Sequence, residues 1–319
     1  VGVLRDFRDP VDYGYLVGRV RVWENHLLKR EHFERLIGAK TFQEVKRVLS
    51  ETPYDFLSDF DKLAKEKLKE AVEAHLASHF ADLEKTPAPN SFFKMIHLPF
   101  DTTNLKILLR TKLFGAPHVP LSQLGFLSQE EMERVVNGAL RIAPFANWVR
   151  EAAEQGVKAD IFDHFLDRKF FEEMLRLAFS SRSSFLVNFV QKEIDLANLR
   201  VLFRSRERGL SLGESFIEGG RVGILTLQNL ASFESEAWQK EVEVTFNLIS
   251  LDVDFFEASL EKELKRFLER ARYISLGPEP IFSYFWRKKS EALAVERILL
   301  GQLGGWPHET LRKELQAYV

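Results

Sequence analysis

One heptapeptide returns along this chain at nearly constant spacing. Asn104-Leu-Lys-Ile-Leu-Leu-Arg110 reappears 94 residues on as Asn198-Leu-Arg-Val-Leu-Phe-Arg204, and after a further 97 as Val295-Glu-Arg-Ile-Leu-Leu-Gly301. Each copy follows an aromatic segment: Ser91-Phe-Phe-Lys-Met95, Phe185-Leu-Val-Asn-Phe189 and Ile281-Phe-Ser-Tyr-Phe285. Each is followed by a glycine and a short helical pattern, with Gly125 before Gln129–Val136, Gly220 before Leu225–Leu230 and Gly305 before Glu309–Leu315. An N-terminal half-copy keeps the order, Arg19-Val-Arg-Val-Trp-Glu24 standing ahead of Gly38 and Phe42–Leu49. Any helical chain aligns with itself to some degree, but the shared order of elements at near-equal spacing separates this repeat from chance. A repeated unit buries its apolar face against its neighbours. The expected division is 1–101, 102–195 and 196–319, the last carrying a C-terminal half-repeat.

Within the repeats the periodicity is helical. Phe60, Leu63, Ala64, Leu68, Ala71, Val72, Leu76, Phe80 and Leu83 fall on one face, and Lys62, Lys65, Glu66, Lys69, Glu70 and Glu73 fill the other. Phe256, Ser259, Leu260, Glu263, Leu264, Phe267, Leu268 and Ala271 trace a second stripe. The best strand pattern, Glu241-Val-Glu-Val-Thr-Phe246, is short and lies between helical contexts. Thr86–Asn90, Gly115–Pro120, Gly209–Gly223 and Gly277–Pro280 gather Pro and Gly and are expected to be loops. The fold class expected is all-α.

Composition narrows the function. The 319 residues carry 45 basic against 47 acidic side chains, which argues against a protein devoted to nucleic acid. Without cysteine there is no disulfide, thiolate metal site or thiol nucleophile. No apolar run of about 18 residues occurs and no signal peptide is evident, so a soluble, intracellular protein without a transmembrane segment is expected. The 28 Phe among the aromatics suit core filling better than ligand stacking. Absent Cys and only three Met, with dense charge, resemble thermophilic usage.

Several patterns resemble chemistry. His75 and His79, four apart on a helix, could face a metal, but no Glu follows His75 as a hydrolase motif requires, and surface histidines are the simpler reading. Asp252, Asp254 and Glu257 precede a helix, where acids favour the positive end of its dipole; a magnesium site needs more converging oxygens. Gly213, Gly219, Gly220 and Gly223 lack the Lys-Ser/Thr pair of a phosphate loop. Arg200, Arg204, Arg206 and Arg208 form a basic stripe, but Glu193, Asp195 and Glu207 beside it favour a solvated face or a protein-docking patch over nucleic acid. No catalytic constellation, cofactor site or metal site is read. Asn104 and Asn198 each precede an apolar run and are expected to cap a helix.

The C-terminal residues carry a spaced signature: Glu279-Pro-Ile-Phe-Ser-Tyr-Phe285, then Lys288, Glu291, Arg297-Ile298, Gly301, Gly305, Pro307, Glu309, Arg312 and Leu315. It closely resembles the end of the C subunit of the V/A-type ATPase and ATP synthase, the family that includes the d subunit of eukaryotic vacuolar pumps. Tyr15, Arg19-Val20-Arg21, Glu24 and Leu27-Leu28 are similar to its opening helix, and Asn104-Leu105 and Asp195 to Arg204 to its internal copies. Gln302 departs from the family, which often has Lys there.

The resemblance implies a funnel of three similar helical domains about a pseudo-threefold axis. It further implies a non-catalytic central-stalk rotor part on the cytoplasmic face of the membrane. Such a part links the shaft, made of the D and F subunits, to the membrane proteolipid ring in ATP synthesis and ion transport. It marks Tyr284, Glu291, Arg297, Gly301, Gly305, Pro307 and Arg312 as structural signature, with Arg297 expected to engage a carboxylate or backbone carbonyls. Arg204, Arg206 and Arg208 are the partner-contact candidates, chosen for charge density. A helical-repeat scaffold unrelated to a pump is the alternative, and a helical metalloenzyme using Asp252, Asp254 and Glu257 is a third reading.

Overall fold

The computed structural model describes residues 9–85, 90–117, 119–159, 161–208, 216–232 and 237–318, without the side chains of Pro10, Asn90, Glu207 and Arg208. Among these residues every regular element is helical. In chain order they are α1 (Gly14–Glu24), α2 (Arg30–Gly38), α3 (Phe42–Ser50), α4 (Lys65–Glu84), α5 (Asn90–Phe114), α6 (Gln129–Val136) and α7 (Phe145–Glu154). The second half holds α8 (Phe162–Ser180), α9 (Ser184–Arg208), α10 (Ile224–Ala231), α11 (Trp238–Thr245), α12 (Phe256–Glu269), α13 (Glu279–Leu303) and α14 (His308–Glu314). Short 3-10 turns punctuate them, the last at Arg270–Tyr273.

The local signals explain most boundaries. Thr41 accepts the Glu44 amide at 3.2 Å to open α3, and Ser128 with Glu131 forms a reciprocal capping box at α6. The α4 stripe buries Leu68, Val72, Leu76, Phe80 and Leu83. Its upstream members do not join the helix: Phe60 lies in a 3-10 turn, and α4 starts at Lys65. The alternating segment 241–246 proves helical through Thr245, because Trp238 and Val242, four apart, are the residues it buries. The loop expected at Gly277–Pro280 shrinks to a corner. Gly277 has φ +109 there, and Pro280 enters the first turn of α13, where its missing N–H leaves nothing unpaired.

The three copies of the heptapeptide lie inside the three 25-residue helices α5, α9 and α13. Asn104 and Asn198 each stand fourteen residues after their helix begins, at Asn90 and Ser184 respectively. A long helix thus recurs at the repeat period, each time after a helix that precedes it directly in the chain: α4, α8 and α12.

The chain divides into two compact units. One is built from residues 90–247, with α8 packed between α5 and α9. The other joins residues 9–85 to 248–318, with α13 packed on α1, α4 and α12.

Candidate functional site

In the unit of residues 90–247, the repeat positions form two equivalent fasteners. Asn104 accepts the Ser122 amide at 2.8 Å and donates to the Ser122 carbonyl at 2.9 Å. Asp101, one turn earlier, accepts the amides of Phe126 and Leu127, each at 3.1 Å. In the next copy, Asn198 binds the amide and carbonyl of Ile217, both at 2.8 Å, while Asp195 accepts the Val222 amide at 3.1 Å. The glycines between keep the approach close: a Cβ on Gly125 would fall on Asp101 Oδ1, and one on Gly220 on Asp195 Oδ1, so the carboxylate would have to shift. This corrects the expected helix-capping role of Asn104 and Asn198. Both are interior to their helices, and both pin the loop that follows. Burial pushes the Asp101 carboxyl up to about 6 and raises Asp195 as well, against the lowering effect of the amides each accepts. The Asp-x-x-Asn spacing shared at 101/104 and 195/198 is the sequence signal for these fasteners.

In the other unit, the signature residues from both halves of the sequence meet. Lys288 and Glu291 are almost wholly buried on α13, 4% and 3% exposed, and the ammonium donates to Glu291 Oε1 at 2.7 Å. Tyr54 donates its hydroxyl to the same oxygen at 2.8 Å, and Lys288 Nζ lies 4.6 Å from the centre of the Tyr54 ring. The second carboxylate oxygen accepts the Leu28 amide in the turn after α1. Burial, then the adjacent Glu291 charge, holds the Tyr54 phenol well above its ordinary range. Nothing in the local sequence around Tyr54 announces this partnership, because Glu291 is supplied from the far end of the chain.

The same unit holds further charge contacts. Arg21 donates to the carbonyls of Ala271, Arg272 and Ile274 and to Glu24 Oε2 at 2.8 Å, and Arg287 donates to Glu24 Oε1, also at 2.8 Å. Arg297 is bidentate to Glu261, at 3.0 and 2.8 Å, the planar pairing that a guanidinium permits. Arg312 reaches Glu34 at 2.9 Å. Gln302, the departure from the family's lysine, donates to carbonyls at the C-terminal end of α2, the nearest being Leu36 at 3.1 Å. Those carbonyls need a donor, and an amide can supply one as an ammonium would. Gly301 has no room for a Cβ beside Leu311 and Trp306, Gly305 turns the chain at φ +66, and Pro307 leads into α14.

The histidines belong to this unit too. His79 Nε2 is 2.6 Å from the Tyr284 hydroxyl, and His75 stacks on Phe56 with ring centres 4.6 Å apart. They face a groove of about 280 Å³ lined also by Trp23, His26, Pro53 and Lys288. Burial first, and then the Lys288 charge, lower both imidazoles to about 4, so both are neutral at pH 7. Among the described residues no group of three or more His, Asp or Glu is placed to hold a metal. Asp252 instead accepts the amides of Asp254 and Phe255, as a turn before α12 requires. The glycine segment 209–215 lies outside the described residues. Arg204 and Arg206 are exposed, the latter lying 5.0 Å from the Trp238 ring centre; the Arg208 side chain is outside the described residues. No described helix is long and apolar enough to cross a membrane.

The arrangement is thus a set of structural locks, and comparison with known proteins supplies the family. Residues 16–314 match the family described as ATP synthase (C/AC39) subunit. The A-type ATP synthase C subunit of Thermococcus kodakarensis is 23% identical over 304 residues, covering 88% of this chain and 83% of that protein. The V-type ATP synthase C subunit of Thermus thermophilus is 28% identical over 226 residues, covering 66% and 68% respectively. The A-type ATP synthase C subunit of Methanococcoides burtonii is 24% identical, with 95% of this chain and 94% of that protein aligned. On a match that takes in both ends of the ionic network and both loop fasteners, the chain belongs to the ATP synthase (C/AC39) subunit family.

Proposed function

We propose that this chain is a non-catalytic, central-stalk rotor subunit of an A/V-type ATP synthase. It sits peripherally on the cytoplasmic face of the membrane, seated on the proteolipid ring, and receives the shaft formed by the D and F subunits. It carries torque between them, coupling proton or sodium transport to ATP synthesis or hydrolysis. The observation that carries this reading is the family match over residues 16–314, together with relatives named as ATP synthase C subunits along most of their length.

The physical character of the residues supports it. A torque-bearing adapter needs stiffness, and close-packed helices resist deformation. The buried Lys288–Glu291 pair with Tyr54 and Leu28 ties α13 to the segment after α1. The signature arginines of this unit are spent on carboxylates and backbone carbonyls. Three similar helical repeats, each carrying one of the long helices α5, α9 and α13, complete the reading.

The test is reconstitution. Membranes carrying the complex are washed with rising salt, and this chain is followed against the ring and the soluble subunits. The purified chain is then offered isolated D–F shaft and detergent-solubilised ring. Release by salt without detergent, followed by rebinding of both, is the expected result. Failure to bind either would return the chain to the class of helical scaffolds unrelated to a pump.

A further inference from the structure

The helix α1 is apolar on two faces. Leu16, Val17 and Val20 fill its inner face and are buried. Its outer face, with the 3-10 turn Pro10–Tyr13 that leads into it, carries Val11, Tyr15, Gly18 and Val22 at steps of four, three and four. Such steps keep residues on one line along a helix. Val11 is 68% exposed, Tyr15 72% and Val22 58%, and nothing lies within 4 Å of the place that a Gly18 Cβ would take. Single exposed apolar groups are ordinary. A helix apolar on both faces is one that folded proteins cover on both, and the described residues leave this outer face bare.

The charges of α1 stand at the edges of this line. Asp12 is exposed on one edge, and Arg19, seven residues on, occupies the same edge. There the Arg19 guanidinium donates to the Asp82 carbonyl at 3.3 Å and lies 4.6 Å from the centre of the Trp23 ring, which fixes its position. On the opposite edge Arg21 gathers the carbonyls of Ala271, Arg272 and Ile274, and Leu276 lies beside Gly14. All of these residues belong to the unit of residues 9–85 and 248–318. The line is thus presented on a helix held at both edges, so docking orders little that is mobile.

This line is complementary to itself. It has one knob, the Tyr15 ring, and one gap, over Gly18, with a valine beyond each. A second α1 is set against it antiparallel, the two-fold axis at the height midway between Leu16 and Val17. Each Tyr15 then stands level with Gly18 of the other copy, and each Val11 level with its Val22. A two-fold axis across antiparallel helices brings like edges together, so Asp12 falls about 3 Å in height from Arg19 of the other copy. One arrangement seats both rings, pairs the valines and places opposite charges across the contact twice. Parallel pairing would set Tyr15 against Tyr15 and leave the gap unfilled. The counterpart that the knob, the gap and the charges each call for is the line itself.

We propose that the outer face of α1 is a self-association surface, on which two copies of the chain pair antiparallel with the Tyr15 ring of each seated over Gly18 of the other. Four positions a side are far fewer than the roughly 20–30 residues of a standard interface, so the dimer is weak and is released by dilution. The inference concerns the free chain and is independent of the rotor reading.

The full chain is followed by sedimentation velocity at rising concentration. The wild type shifts reversibly from monomer toward dimer. Tyr15→Ser and Gly18→Glu each weaken the dimer by about tenfold, and Asp12→Lys weakens it while flattening its dependence on salt. Helical content and melting temperature, read at dilutions where the wild type is monomeric, are not lowered in these variants. The absence of native cysteine permits a geometric test. Val11→Cys and Val22→Cys are made as separate chains and oxidised alone and mixed. Antiparallel pairing links the mixture and neither variant by itself, since like positions stand about 16 Å apart in height. A wild-type chain that stays monomeric at every concentration reached overturns the proposal. So does a dimer that Tyr15→Ser with Gly18→Glu leaves intact, which uses another face, or a disulfide formed by Val11→Cys alone, which means parallel pairing. A monomeric wild type whose binding to isolated D–F shaft, to detergent-solubilised ring or to phosphatidylglycerol vesicles is lost in Tyr15→Ser overturns it in favour of that occupant.

Discussion

Lys288 and Glu291, one turn apart on α13, share a 2.7 Å ammonium–carboxylate contact from which water is almost fully excluded. A charge in such a place is tolerated only while its partner is present. Lys288→Met is expected to destabilise the chain by about 3–5 kcal/mol, since Glu291 would be left ionised among apolar side chains. Replacing both, as Lys288→Met with Glu291→Leu, should recover much of that loss, less what the Tyr54 hydroxyl and Leu28 amide forfeit. Urea denaturation of the two single variants and the pair gives the coupling directly.

The loop fasteners predict a local effect. Asn198→Ala leaves the amide and carbonyl of Ile217 without their partner in a buried setting, at a cost of about 1–3 kcal/mol. Asn198→Asp should be worse, because it keeps the acceptor but aims a negative charge at a carbonyl. Hydrogen exchange should show lost protection at residues 216–222, with α13 unchanged. Equal loss of protection along the whole chain would contradict this assignment.

Two glycines should respond with opposite sign. Gly220→Ala drives a Cβ into Asp195 Oδ1 and into contact with Ile194, so the fastener must shift, at a cost of about 1–3 kcal/mol. Gly18, inside α1, has nothing within 4 Å of its absent Cβ, and Gly18→Ala should stabilise by about 0.5–1 kcal/mol. Thermal melts of the two variants test the pair of signs together.

Acid should act on these buried groups in opposite directions. His75 and His79 have folded pKa values near 4 against 6.5 unperturbed, so the unfolded chain binds more protons between those limits. The stability they contribute is present above pH 6.5 and is lost as the pH falls toward 4. Asp101 is shifted the other way, from 3.8 to about 6, so its effect on stability improves as the pH falls through 6 toward 4. Imidazole proton titration by NMR should find the two histidines still neutral at pH 5, and carboxyl titration should find Asp101 half protonated near pH 6.

The helical class and the 94-residue period are legible in the sequence because both are local or periodic properties, as the α4 stripe and the placement of Asn104 and Asn198 illustrate. The role of those asparagines is not legible, for a physical reason. A cap and an interior anchor look alike before an apolar run, and only the fold brings Ser122 or Ile217 against the side-chain amide. The segment 241–246 alternates over too few residues to fix a period, and its helical surroundings decide it. Tyr54 and His79 leave no trace in the sequence around them, because their partners Glu291 and Tyr284 lie more than 200 residues away. The carboxylate on Arg297 is foreseeable as a type, but not as Glu261.

One compact unit is assembled from residues 9–85 and 248–318, with residues 90–247 intervening in the sequence. During synthesis, α4 must therefore wait for α13, its packing partner, while the intervening stretch is translated. At about 5–20 residues per second that wait is roughly ten seconds or more. Through this interval Leu68, Val72, Leu76 and Phe80 form an uncovered apolar strip on the nascent chain, while the intervening unit already has all its own helices. A stop codon between the end of that unit and α13 would yield one finished unit carrying a sticky, protease-sensitive leader.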